Sequence, residues 1–211
     1  PLWLAVAGTA VLLAVDLKSL VRGAHRMQGV IELVPQVGDF VAYGEPLFRL
    51  HGAAARIPDG RLLATVALGS ERTIEQDPMF AFRIVTDIAL KALSPAINDP
   101  TTAVLALDQL HRMLRIVGRR RLRDDAVRDS AGIVRVLYRT PGWEDFVHVA
   151  CVEIRACGAS SVQVARRMEA MLRDLLVLLP PQRRPALEQQ RELLERAIAA
   201  QYPFPEDAAL A

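Results

Sequence analysis

Lysine is nearly missing from this chain. Of 211 residues only Lys18 and Lys91 are lysine, and the other side chains counted as basic are arginine. The stretch between them therefore holds no lysine that could carry a prosthetic group. Cysteine is also scarce. Cys151 and Cys157 lie six apart in one helical pattern, on different faces and too far apart to bridge, which excludes a disulfide framework and a zinc site. Both read as small buried hydrophobes. Aromatics make up 5 %, so the core must be built from Leu, Val, Ile and Ala, which suits packed helices better than an all-β sandwich. No large charge excess exists either. A net charge of +2 gives no footprint for a nucleic-acid partner.

The N-terminal apolar run, "PLWLAVAGTAVLLAV", is fifteen residues long. As a helix it would cover roughly 22 Å. A bilayer core needs about 30 Å. The run reads as the remnant of a membrane span, as a signal-anchor core or as a buried helix, taken with its flank as residues 1–26. Lys18, Arg22 and Arg26 follow it, and in an inserted chain they would hold the remainder on the cytoplasmic side.

What is present is a chain 52 % hydrophobic and 24 % charged, enough for a sizeable core and too apolar for wholesale disorder. Residues 27–69 read as a small β module. Val34, Val37, Gly38, Asp39, Val41, Gly44, Pro46 and Leu47 form short apolar runs cut by turns. That rhythm resembles half of a biotinyl- or lipoyl-type barrel-sandwich. The missing lysine removes the carrier function and leaves a structural role. Asp59 to Gly69 reads as a turn and a strand that completes the module.

Residues 70–201 read as a helical domain with one or two strands. Met79 to Leu93 is apolar on most sides apart from Arg83, Asp87 and Lys91, spaced four apart on one face. "LSPAINDPTTA" then breaks the pattern. Pro95 disfavours helix at Ser94. Asn98 tolerates a left-handed turn, Asp99 caps a new helix, and Pro100 suits its first position. A second helix runs to about Val117, giving an αα-hairpin. Gly118 to Gly132 reads as a charged, solvated loop and "GIVRVLYR" as a strand. "WEDFVHVACVEIRACG" is a helix ended by Gly158. The next starts at Ser160 or Ser161 and runs to about Leu179, and a last one spans Pro185 to about Gln201. Residues 202–211 read as a tail.

Several of these segments carry a resemblance. "GSERTIEQDPMFAFRIVTDIALKALSPAINDPTTAVLALDQL", with "VGDFVAYGEPLFRL" upstream and "EIRACGASSVQVARRM" downstream, resembles domain-of-unknown-function family 2254. Val37 stands where the family pattern has proline. The resemblance implies a bacterial membrane protein with several N-terminal transmembrane helices and a soluble domain, to which this chain corresponds. The expected fold is α+β and mainly helical, with a barrel-sandwich-like β half and αα-hairpins.

Arg72, Thr73, Gln76, Asp77, Arg83, Asp87, Asn98, Asp99, Thr101 and Thr102 form a dense polar set in otherwise apolar sequence. A latch in which these groups satisfy one another is one reading. An ion or anion site at the Arg72–Asp77/Asn98–Thr102 corner, using the amides of Thr101 and Thr102, is the other. Asp99 opposes an anion there. Asp108 and His111, three apart, share a helix face and could offer two metal ligands. No nucleophile–base pair, Walker motif or zinc motif is present, and no cofactor is implied. The expected role is a non-enzymatic, membrane-associated assembly or regulatory module of the bacterial inner membrane. Its soluble part would be cytoplasmic, its partners a membrane or membrane protein and further copies of itself, and nucleic acid would not be among them.

Overall fold

In the computed structural model, residues 2–5, 8–122 and 125–202 are described. The chain forms two compact units, Pro1–Phe80 with Arg123–Thr140, and Ala81–Leu122 with Pro141–Ala211. The tail expected at 202–211 lies outside the described residues from position 203 onward.

In the first unit the N-terminal run does not form a helix. It makes two strands, β1 (Leu2–Ala5) and β2 (Ala10–Val15). A short apolar run without polar punctuation fits a buried strand as well as a helix, and pairing partners distant in sequence decide between them. β2 finds them in β4 (Phe40–Val41) and β6 (Val66–Gly69), and β1 pairs with β5 (Pro46–His51). The helix begins only at Asp16, whose carboxylate accepts from the Ser19 amide at 3.0 Å. α1 (Leu17–Met27) follows, with His25 and Arg26 in its last turn, and ends at Gln28 in the left-handed region (φ 54°). Among the described residues no helix is long and apolar enough to cross a membrane. The expected membrane segment is thereby overturned.

The larger sheet has the order β1-β5-β3-β8-β7, with β3 at Val30–Leu33, β7 at Ala126–Arg128 and β8 at Val134–Tyr138. All its pairs are antiparallel except β3 with β8. Register places Ile31 opposite Leu50 and Val136, and Leu33 opposite Phe48 and Tyr138, so one face is continuously apolar. With Leu12, Leu20, Leu47 and Leu62 these residues make the core of the unit. The second sheet is β4-β2-β6.

Both sheets are open, which corrects the barrel-sandwich expectation. Gly38 and Gly44 do supply left-handed turns (φ 96° and 80°), but the strand between them, β4, is only two residues long. The strand that lies beside β3 is β8, far along the chain. Two further readings also change. Asp59 to Leu63 is a short helix, α2, and the charged connection contains β7.

The second unit is helical. α3 (Pro78–Ala92) buries Phe82, Thr86 and Ala89. The Phe82 ring meets Phe146 at 5.0 Å between centroids, and Thr86 Oγ1 donates to the Val149 carbonyl. α4 (Pro100–Arg119) starts after Asn98, which adopts φ 46°. The two prolines therefore do stop one helix and start the next. α5 (Trp143–Gly158), α6 (Val162–Leu178) and α7 (Arg184–Gln201) complete the bundle around Leu107, Leu110, Trp143, Ile154, Met171 and Leu194. Cys151 is buried but Cys157 is exposed, so only the first behaves as the buried hydrophobe expected of both.

Candidate functional site

The polar set singled out in the sequence falls into separate local arrangements. In the first unit Arg72 Nε donates to Asp77 Oδ2 at 2.9 Å, and Asp77 Oδ1 accepts from the Phe80 amide at 3.0 Å. Asp77 is 2 % exposed, so this partnering is what lets its carboxylate stay buried. The Arg72 guanidinium also lies 5.0 Å from the Phe80 ring centroid. Gln76 Oε1 accepts from the Val15 amide at 3.2 Å, while Thr73 is exposed.

In the second unit Arg83 grips Asp87 at 2.8 Å and reaches across to Glu153 on α5. Arg83 holds the Glu153 carboxyl below its ordinary range, and the two acids raise the guanidinium. Asp99 accepts from the Thr102 amide at 3.1 Å and from its hydroxyl, which depresses the Asp99 carboxyl. That bond caps α4. Thr101 and Asn98 are exposed.

Two networks escaped the sequence reading because their members lie far apart along the chain. The first joins α1 to the β7–β8 turn. Arg135 Nε donates to Asp129 Oδ2 at 2.7 Å and Arg135 Nη2 to Gln28 Oε1 at 2.8 Å, with both charged side chains nearly buried. His25 Nδ1 meets the same carboxylate oxygen at 2.9 Å. Arg135 first, then His25, pull the Asp129 carboxyl well below its usual range.

The second network ties α4 to α6. Arg167 donates to Asp108 and faces His111 Nδ1 at 2.8 Å, while His111 Nε2 lies 2.7 Å from Asp174 Oδ2. Arg167 carries no lone pair to offer, so Nδ1 must accept and Nε2–H must donate. Both ring nitrogens of His111 and one oxygen of Asp108 are thus engaged within the α4–α6 network. Among the described residues no cluster of three or more His, Cys, Asp or Glu side chains is arranged to hold a metal ion.

A half-open concavity lies elsewhere, in the first unit, between α1 and α2. Its volume is about 440 Å³. Its apolar lining is Leu20, Met27, Ile31, Ile57 and Leu62, and Arg22, Arg26 and Arg61 also line it. No acidic residue lines it. The sequence carried a signal for it: Ser19, Arg22, Gly23 and Arg26 recur at helical spacing on one face. Those basic residues read instead as the flank of a membrane run. Gly23 sits mid-helix, and a Cβ built there would meet only Ile57 Cδ1, at 3.8 Å. The missing side chain keeps the cleft open.

A family model described as "Predicted membrane protein (DUF2254)" matches residues 5–174. The chain belongs to the DUF2254 family. Three relatives, uncharacterized proteins of Mycobacterium tuberculosis (strains CDC 1551 and H37Rv) and Mycobacterium bovis, are each 33 % identical over 204 residues. The alignment covers 93 % of this chain and 39 % of each relative, so the chain spans well under half the length of these DUF2254 relatives. No solved structure matches it. The apolar segment on which a membrane-associated module, the designation membrane protein and an inner-membrane location were expected here forms strands, and no described helix can span a bilayer.

Proposed function

We propose that this DUF2254 region is a ligand-binding module whose site is the cleft between α1 and α2. The single observation that carries this is the cleft itself. Its volume, about 440 Å³, lies within the range of small-molecule sites, ~300–1,000 Å³. It joins an apolar floor to a few polar groups at its wall, the usual composition of such sites. A non-catalytic role fits the lining, which contains no nucleophile beside a base.

Saturation-transfer NMR against a fragment library tests the reading, with Gly23→Leu as the occluded control. The added side chain projects into the cleft from a position where its Cβ meets only an ordinary contact. Replacing a mid-helix glycine also removes a helix penalty of about 1 kcal/mol, so the variant should fold. Fragments that bind the wild type and are lost in Gly23→Leu support the site. Fragments that bind both alike place binding elsewhere and remove it.

A further inference from the structure

We infer that the cleft takes an amphipathic anion: a carboxylate or phosphate monoester on a short apolar body. The inference rests on the reading of the cleft as a ligand site and adds the chemistry of its occupant. The exposed guanidinium groups of Arg26 and Arg61 make no ion pair or hydrogen bond among the described residues. Arg22 donates to Ser19 Oγ at 2.9 Å, and Ser19 in turn bonds Asp16, so its charge is partly answered. Asp16 and Asp59, the acids nearest in sequence, do not line the cleft.

Elsewhere in the first unit most arginines meet an acceptor. Arg49 pairs with Glu32, Arg72 with Asp77, Arg135 with Asp129, and Arg128 donates to the Gly132 carbonyl. Arg26 and Arg61 depart from that pattern, as do the exposed Arg56 and Arg139, but only Arg26 and Arg61 border a shared hollow. Guanidinium groups recognise carboxylates and phosphates through paired N–H donors, so an anionic head is the complement of Arg26 and Arg61. The floor beneath them, Leu20, Ile31, Ile57 and Leu62, is buried and wholly hydrocarbon. It offers nothing to a second polar group and favours an alkyl or aryl body.

The test is calorimetric titration of the 211-residue chain with octyl phosphate, octanoate, octanol and inorganic phosphate. Octyl phosphate and octanoate should bind and octanol should bind far more weakly. Shortening octyl to butyl phosphate should weaken binding by up to about fourfold per methylene removed. Arg26→Gln and Arg61→Gln should each weaken octyl phosphate by about tenfold or more, the measure of a charge-assisted hydrogen bond. Gly23→Leu should abolish it with the melting temperature retained.

Equal binding of octanol and octyl phosphate, unaffected by the arginine substitutions, would overturn the anionic head and leave the cleft reading intact. Equal binding of inorganic and octyl phosphate would overturn the apolar body. Fragments that respond to Gly23→Leu while none of the alkyl probes bind would overturn the whole inference about class. Absence of any Gly23-sensitive ligand would overturn both proposals. Sedimentation with phosphatidylglycerol vesicles without binding of monomeric octyl phosphate would assign the arginines to a surface and sink a cleft-held ligand.

Discussion

The backbone of Gly38 lies directly against the Asp77 carboxylate: a β-carbon built on that glycine would come within 2.2 Å of Asp77 Oδ2 and 2.7 Å of Arg72 Nη2. Two sequence segments that each resemble the family pattern therefore meet at one point. Gly38→Ala combines a left-handed backbone with this overlap and should destabilise by about 1–3 kcal/mol. Gly44→Ala has the same backbone problem (φ 80°) in open space and should cost about 1 kcal/mol. Urea unfolding should rank Gly38→Ala as the more damaging, and the reverse order would refute the packing account.

The Arg135–Asp129–His25 network predicts an acid response. Asp129 has a folded pKa below its unfolded value, so its contribution is fully present above the ordinary carboxylate pKa near 4. It is lost as the pH falls further toward the depressed folded value. The difference in melting temperature between wild type and Asp129→Asn should be largest near neutrality and shrink steadily below about pH 4. Arg135→Met removes the main partner of the Asp129 carboxylate, leaves His25 and two backbone amides on it, and should lower the melting temperature at neutral pH. A constant difference across the acid range would contradict this assignment.

The two thiols should react differently. Burial pushes the Cys151 thiol up to about 12, while Cys157 is exposed on the same helix. Alkylation needs the thiolate and access. Iodoacetamide at pH 8 should label Cys157 alone in the folded protein and both cysteines in denaturant, as read by mass spectrometry of tryptic peptides. Equal native labelling would show that α5 is not packed as described.

At the proline corner, chemistry separates two substitutions of Asp99. Asparagine retains an oxygen able to accept from the Thr102 amide, and alanine does not. Asp99→Asn should melt close to wild type and Asp99→Ala several degrees lower. Equal loss in both would point to charge, not the cap, as what the position supplies.

The helical half was largely legible in sequence because its signals are local. Pro95, Asn98, Asp99 and Pro100 act within a few residues, and "WEDFVHVACVEIRACG" begins and ends where α5 does. The β half was less legible because pairing is not local. Nothing near Val30–Leu33 announces β8 as its neighbour, and nothing in the first fifteen residues names β5, β4 and β6 as partners. The candidate residues follow the same division. Arg72 with Asp77, Arg83 with Asp87 and Asp99 with Thr102 are neighbours in sequence. The α1–α2 cleft and the Arg135 network join distant segments.

The parallel pairing of β3 with β8 has a consequence for how the polypeptide emerges from the ribosome. β3 is translated long before β8, with all of α3 and α4 between them. Until Val134–Tyr138 appears, the nascent β3 has β5 on one side and an unsatisfied hydrogen-bonding row on the other. Such a bare flank recruits other strands, so a chain terminated before Val134 should aggregate even though every residue lining the α1–α2 cleft has already been made.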